Sequence, residues 1–173
     1  MADDLQLILY PDPRLKKKSP PVTVFDDALK RTATRMLELM REHKGVGLAA
    51  PQVGLNIRLF VVNATGEPHD DRVYVNPVLS EAEGDEADEE GCLSLPDIRV
   101  EVTRPTTRVL MRAQDLDGKP FEEVGEGFIT RVWQHELDHL NGVLITDRMG
   151  PVAKLAYRKK LKELEDDFRA GGK

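Results

Sequence analysis

Two histidines four residues apart, His135 and His139, stand in the stretch QHELDH with Glu136 between them. On a helix, residues at that spacing differ by about 40° around the axis and one turn along it. Both imidazoles can therefore face one ion. Glu136 stands beside that ion rather than on it, where its carboxylate could reach a metal-bound water. This geometry is the physical content of the H-E-x-x-H pattern.

A hydrolytic metal site of this type needs a third protein ligand and an open position. No histidine follows His139. Asp147, Glu163 and Glu165 are downstream acids, although those on the last helix read as part of an ordinary charged face. The other candidate is Cys92, the only cysteine, in EEGCLSLP between a charged run and Pro96. It lies outside any apolar core pattern, and a thiolate suits zinc or ferrous iron.

A third stretch, GVGLAAPQVG over residues 45–54, matches the nucleotide fingerprint G-x-G-x-x-A only superficially. That fingerprint follows a strand and opens a long helix, whereas this one follows a helix and meets Pro51 within a turn. A close-approach loop fits better: small residues let a substrate lie along the backbone, and Gln52 brings a neutral amide donor.

The elements that must hold these residues are legible in the patterning. Residues 23–43 predict a helix capped by Asp26 or Asp27, with Leu29, Thr32, Met36 and Met40 on one face. NIRLFVVN reads as a strand, and RVYVNPVL as a second one broken by Pro77. In EAEGDEADEE, residues 81–90, seven of ten positions are acidic, which predicts a solvated acidic loop, with Glu90 set apart by its nearness to the cysteine. DIRVEVTRP alternates Ile98, Val100 and Val102 as a strand with one wet face, and Asp117-Gly118 predicts a hairpin. GFITRVWQHELDHL predicts a helix ending at Asn141-Gly142, with Trp133 in the core. Gly150-Pro151 opens a last helix with Val152, Leu155, Ala156, Leu161, Leu164 and Phe168 at roughly helical spacing. The order predicts an α+β domain, the HELDH helix packed against a mostly antiparallel sheet.

Composition bounds the function. The chain has 173 residues, enough for one domain with a real core. Its formal net charge of −6 argues against nonspecific nucleic-acid binding. No apolar run suggests a membrane span, the N-terminus does not read as a signal peptide, and a lone cysteine fits a reducing cytosol.

GVGLAAPQ, EGCLS and QHELDH, in this order and at these separations, resemble bacterial peptide deformylases. The resemblance runs from ILYPDPRL to the last helix. It implies an α+β fold of antiparallel sheets around a central HExxH helix, with N-terminal and C-terminal helices. It also implies one catalytic domain over residues 1–173, of which about 150–173 form a C-terminal helix or extension. The implied reaction removes the N-formyl group from formyl-methionine of nascent proteins and releases formate, a metal-bound water attacking the formyl carbon with Glu136 as general acid/base. Cys92, His135 and His139 would hold one divalent metal per chain, natively Fe2+, with Ni2+, Co2+ or the less active Zn2+ able to substitute. Gln52 and the backbone N–H of Leu93 would stabilise the oxyanion. Gly45, Val46, Gly47, Glu90, Gly91, Phe128 and Val132 would border the peptide and its methionine side chain.

Arg131 departs from the family pattern, which often has an aliphatic residue there; its stem is expected in the pocket wall with the charge held outside. Asp138 is expected to face away from the metal, toward an arginine such as Arg104. The implied partners are N-formyl-methionyl nascent peptides and, through the basic C-terminal helix, the ribosome near its exit tunnel. No membrane partner, a monomeric state and a cytoplasmic location complete the expectation. A zinc endopeptidase using a downstream acid and a non-catalytic metal-stabilised module are the rival readings.

Overall fold

The structure, a computed structural model, describes residues 2–171; the first residue and the last two of the expected 1–173 domain lie outside the described residues. Helix α1 spans Asp27–Glu42, and Asp26 caps it by accepting from the Leu29 N–H at 3.0 Å. Its buried face is Leu29, Ala33, Met36, Leu39 and Met40. Ala33 takes the position expected for Thr32, and the helix begins four residues after the predicted start at residue 23. This face packs on Leu48, Leu59, Val61 and Val75 of the sheet.

Among the described residues, five strands form one antiparallel sheet in sequential order: β1 Gly47–Ala49, β2 Leu59–Val62, β3 Arg72–Cys92, β4 Leu95–Gln114 and β5 Pro120–Gly125. Short β1 is an edge strand, and β3 with β4 makes a long ribbon.

Two sequence expectations are corrected here. Pro77 does not break its strand. Asn76 takes a left-handed φ of 51° at a register shift between Val75 and Val78, so the proline sits in a bulge that the ladder spans. The acidic stretch 81–90 is strand, not loop. Its backbone pairs with β4, with Glu83 opposite Arg108 and Glu86 opposite Arg104, while the side chains from Glu81 to Glu89 remain exposed. The hydrophobic alternation of Ile98, Val100 and Val102 on the partner strand supplies the burial that the acidic strand lacks. The Asp117-Gly118 hairpin forms as expected, Asp115 Oδ1 accepting from the N–H groups of Asp117 and Lys119, both at 2.9 Å.

Helix α2, Phe128–Leu140, lies against this sheet and ends at Asn141, with Gly142 at φ 74°. Trp133 anchors it, fully buried and edge-on to Tyr74 at 5.8 Å. Gly125 makes room for that indole: a Cβ there would come within 2.6 Å of its ring.

Helix α3, Pro151–Gly171, packs through Ala153, Tyr157, Leu161 and Leu164. Val152 and Leu155, expected on the packed face, are 83% and 69% exposed. The helix is rotated so that Tyr157 can accept from the Arg99 N–H. No helix of the described residues is long and apolar enough to cross a membrane.

Candidate metal centre and substrate cleft

Three elements meet at the centre. Helix α2 presents His135 and His139 one turn apart, with ring centroids 5.1 Å from each other. The end of β3 brings Cys92 against them, its Sγ 3.4 Å from His139 Nε2. One possible ligand atom from each of Cys92, His135 and His139 lies within 4.8 Å of the others. Among the described residues this is the one such group of metal-competent side chains. Of the downstream acids, Asp147 is engaged with Lys16 and the Leu144 N–H, Glu165 with the Tyr10 hydroxyl, and Glu163 is exposed on α3.

The donor set fits a divalent metal: one sulfur and two imidazoles converge, and the thiolate accounts for one negative charge. Burial, assisted by the charges of His135 and Arg104, holds His139 below the usual imidazole range, hence neutral with a lone pair to offer. Beside the group, Glu136 is buried, and its Oε1 has no protein hydrogen-bond partner. Burial pushes its carboxyl up to about 7, against the pull of His135.

Glu90 underlies the site. Burial works against its charge, yet Arg104 and His135 hold its carboxyl down at about 2. Its Oε1 contacts His135 Nδ1 at 3.0 Å and accepts from Arg104 at 2.9 Å, while Oε2 accepts from Arg104 at 2.6 Å and from Arg131 at 2.9 Å. Arg104 also reaches Asp138 at 3.1 Å, and Arg148 holds Asp138 through two bonds of 2.7 and 2.8 Å. The expected Asp138–Arg104 contact is therefore present. The expectation for Arg131 is corrected: its charge is inside, with the residue only 4% exposed, because Glu90 and two backbone carbonyls receive it.

Gln52 is buried on the other side of the thiol. Its Oε1 accepts from the Ala49 N–H at 3.0 Å, which fixes the amide orientation. Its Nε2 then donates to Ser94 Oγ at 3.2 Å and toward Cys92 Sγ at 3.6 Å. Ser94 had no role assigned from the sequence, although it stands inside EGCLS; its hydroxyl donates in turn to the Ile8 carbonyl at 2.8 Å.

A cleft of about 670 Å³ opens over these groups. Gly45, Val46, Gly47, Gln52, Glu90, Gly91, Cys92, Leu93, Phe128, Val132, His135 and Glu136 all line it, so the structure gathers the sequence-derived residues into one place except His139, which lies behind the wall. Glu90 contributes from below, as the anchor of His135. The lip also includes His43, Lys44, Asp97 and Arg99, which carried no motif signal because loop-borne rim charges look like ordinary surface. Two glycines are required by close approach. A Cβ on Gly47 would lie 2.7 Å from Glu136 Oε2, and one on Gly45 would lie 2.7 Å from Leu93 Cδ1.

Fold and site together define a metal-dependent hydrolase class: an α+β scaffold with an HExxH helix, a convergent thiol and a cleft roofed by small residues. Within that class the chain belongs to the polypeptide deformylase family, whose model matches residues 5–155. A peptide deformylase of Thermotoga neapolitana is 48% identical over 162 residues, covering 93% of this chain and 96% of the relative. One from Chromobacterium violaceum is 45% identical over 161 residues, covering 93% and 96%. The crystal structure of peptide deformylase from Plasmodium falciparum superposes with a TM-score of 0.91 at 40% identity, covering 97% of this chain and 99% of that one. The chain is thus an enzyme that removes the N-formyl group from nascent peptides.

Proposed function

We propose that Cys92, His135 and His139 hold one divalent metal, Fe2+ in the native enzyme with Ni2+, Co2+ or Zn2+ able to substitute, and that Glu136 moves the proton of the deformylation. The observation that carries this reading is the convergence of the three ligand atoms within 4.8 Å beside a buried carboxylate with an unpartnered oxygen. When bound, the metal lowers the pKa of water and polarises the formyl oxygen. Glu136 takes a proton from the attacking water and delivers it to the methionine nitrogen as the carbon–nitrogen bond breaks, so that formate and a free amine leave.

The Gln52 amide and the Leu93 N–H stabilise the oxyanion that forms on the way. Ser94 and the Ala49 N–H hold Gln52 in the orientation that turns its NH₂ toward the Cys92 side. The peptide extends along Val46–Gly47 as an added strand, which the free outer edge of β1 supports. Val46, Phe128 and Val132 supply the apolar wall for the methionine side chain, with Gly45, Glu90 and Gly91 along the cleft.

In the same reading the enzyme works as one domain and as a cytoplasmic monomer. The exposed Lys154, Arg158, Lys159 and Lys162 of α3 meet ribosomal RNA near the exit tunnel. Unchanged ribosome pelleting by a folded chain truncated near residue 150 would remove the docking role.

Cys92→Ser tests the ligand assignment. The reading expects deformylation to be lost and metal affinity to change. A variant that keeps its metal and cleaves casein would instead indicate a peptidase with an acidic third ligand.

A further inference from the structure

The two halves of the metal group come from different elements: Cys92 from the β3–β4 ribbon, His135 and His139 from α2. Something must keep those elements in register, since a ligand displaced by a fraction of an ångström weakens a metal site. Arg131 stands on α2 one turn before His135 and points into the ribbon. Its Nη1 donates to Glu90 Oε2 at 2.9 Å and to the Val102 carbonyl at 2.8 Å, and its Nη2 donates to the Glu86 carbonyl at 2.8 Å. One side chain thus ties the ligand-bearing helix to both ribbon strands: it stands four residues before His135, and its partner Glu90 stands two residues before Cys92.

The same contact completes Glu90. A carboxylate offers about four acceptor positions, and here Arg104 takes two, His135 one and Arg131 the fourth. Without Arg131, Glu90 keeps the Arg104 fork but loses its bond to the turn of α2 that precedes His135, and the ribbon and helix can shift against each other.

We propose that Arg131 is a positioning residue of the metal centre, locking the Cys92 ribbon to the His135–His139 helix and holding Glu90 in the orientation that fixes His135. The proposal rests on Cys92, His135 and His139 being the ligands.

The test is cobalt titration of the metal-free chain, following affinity and the thiolate-to-cobalt absorption band, for the wild type, Arg131→Met and Arg131→Lys. Leu29→Ala, remote in the α1 core, is the control for lost stability alone. Arg131→Met is expected to bind cobalt about 10–100-fold more weakly with a shifted band. Arg131→Lys, which keeps the charge but not the fork of donors, should fall between. Leu29→Ala should match the wild type in both readouts. Wild-type affinity and band in Arg131→Met would overturn the proposal, as would an equal loss in Leu29→Ala. Should Arg131→Met fail to fold by circular dichroism, Arg131→Lys decides by the same criterion. A wild-type chain that binds cobalt with no thiolate band would instead sink the ligand assignment beneath it.

Discussion

Glu90 Oε1 lies 3.0 Å from His135 Nδ1. Because two arginines keep Glu90 ionised, the carboxylate is the acceptor and Nδ1 carries the hydrogen. Burial opposes charge on His135, yet Glu136, Cys92 and Glu90 raise its pKa well above the usual imidazole range. With Nδ1 committed to Glu90, Nε2 is the nitrogen that would give up its proton to a metal.

Glu90→Gln tests how much the fold depends on that anion. The substitution keeps the shape but leaves Arg104 and Arg131, each 4% exposed, facing a neutral amide. Removing one partner of a buried ion pair costs about 3–5 kcal/mol. A loss of that size is expected in urea unfolding, with weaker metal binding; an unchanged midpoint would show that the arginines find other partners.

Gly47→Ala places a methyl where Glu136 now stands, 2.7 Å from Oε2. Glu136 must move, and a misplacement of about 1 Å can cost about 10²-fold in rate. The expected signature is a fall in kcat with the metal retained, read by steady-state kinetics beside metal analysis.

Gln52→Ala removes the proposed oxyanion donor and the partner of Ser94. A rate loss of about 10²–10³ is expected, with the metal still bound. A loss confined to KM would assign Gln52 to substrate binding alone.

Acid stability draws also on the N-terminal segment. The Arg14 guanidinium, bonded to Asp12 at 3.0 and 2.7 Å, holds the Asp12 carboxyl below its ordinary range although burial opposes it. A depressed folded-state pKa contributes stability that is present above the unfolded pKa and lost as pH falls through the folded value. Asp12→Asn should therefore lower Tm near neutral pH and narrow its gap to the wild type as the pH drops through the acid range. A gap independent of pH would show that shape, not charge, is what Asp12 contributes.

Much of this was legible in the residues themselves. His135, Glu136 and His139 could be placed because helical spacing alone converges them, and the β4 alternation and the Asp117-Gly118 turn follow from local chemistry. The acidic strand 81–90 was not legible, because its pairing depends on apolar residues of a different strand. The packed face of α3 was misjudged because Val152 and Leu155 stand about 180° and about 120° around the helix axis from Leu161 and turn to solvent. The inward charge of Arg131, expected outside a pocket wall lined by its stem, was not legible because its acceptors, Glu90 and the carbonyls of Glu86 and Val102, lie at least 29 residues away along the chain.

The most direct test of the account is formate release from a formyl-methionyl tripeptide by anaerobically prepared, Fe2+-loaded chain, with the acetyl-methionyl peptide and the Glu136→Gln variant alongside. The account expects formate from the formyl peptide, no acetate from the acetyl peptide, and no turnover by Glu136→Gln although its metal remains bound. A fully metal-loaded wild-type chain that releases no formate, or a Glu136→Gln variant that turns over normally, would contradict it.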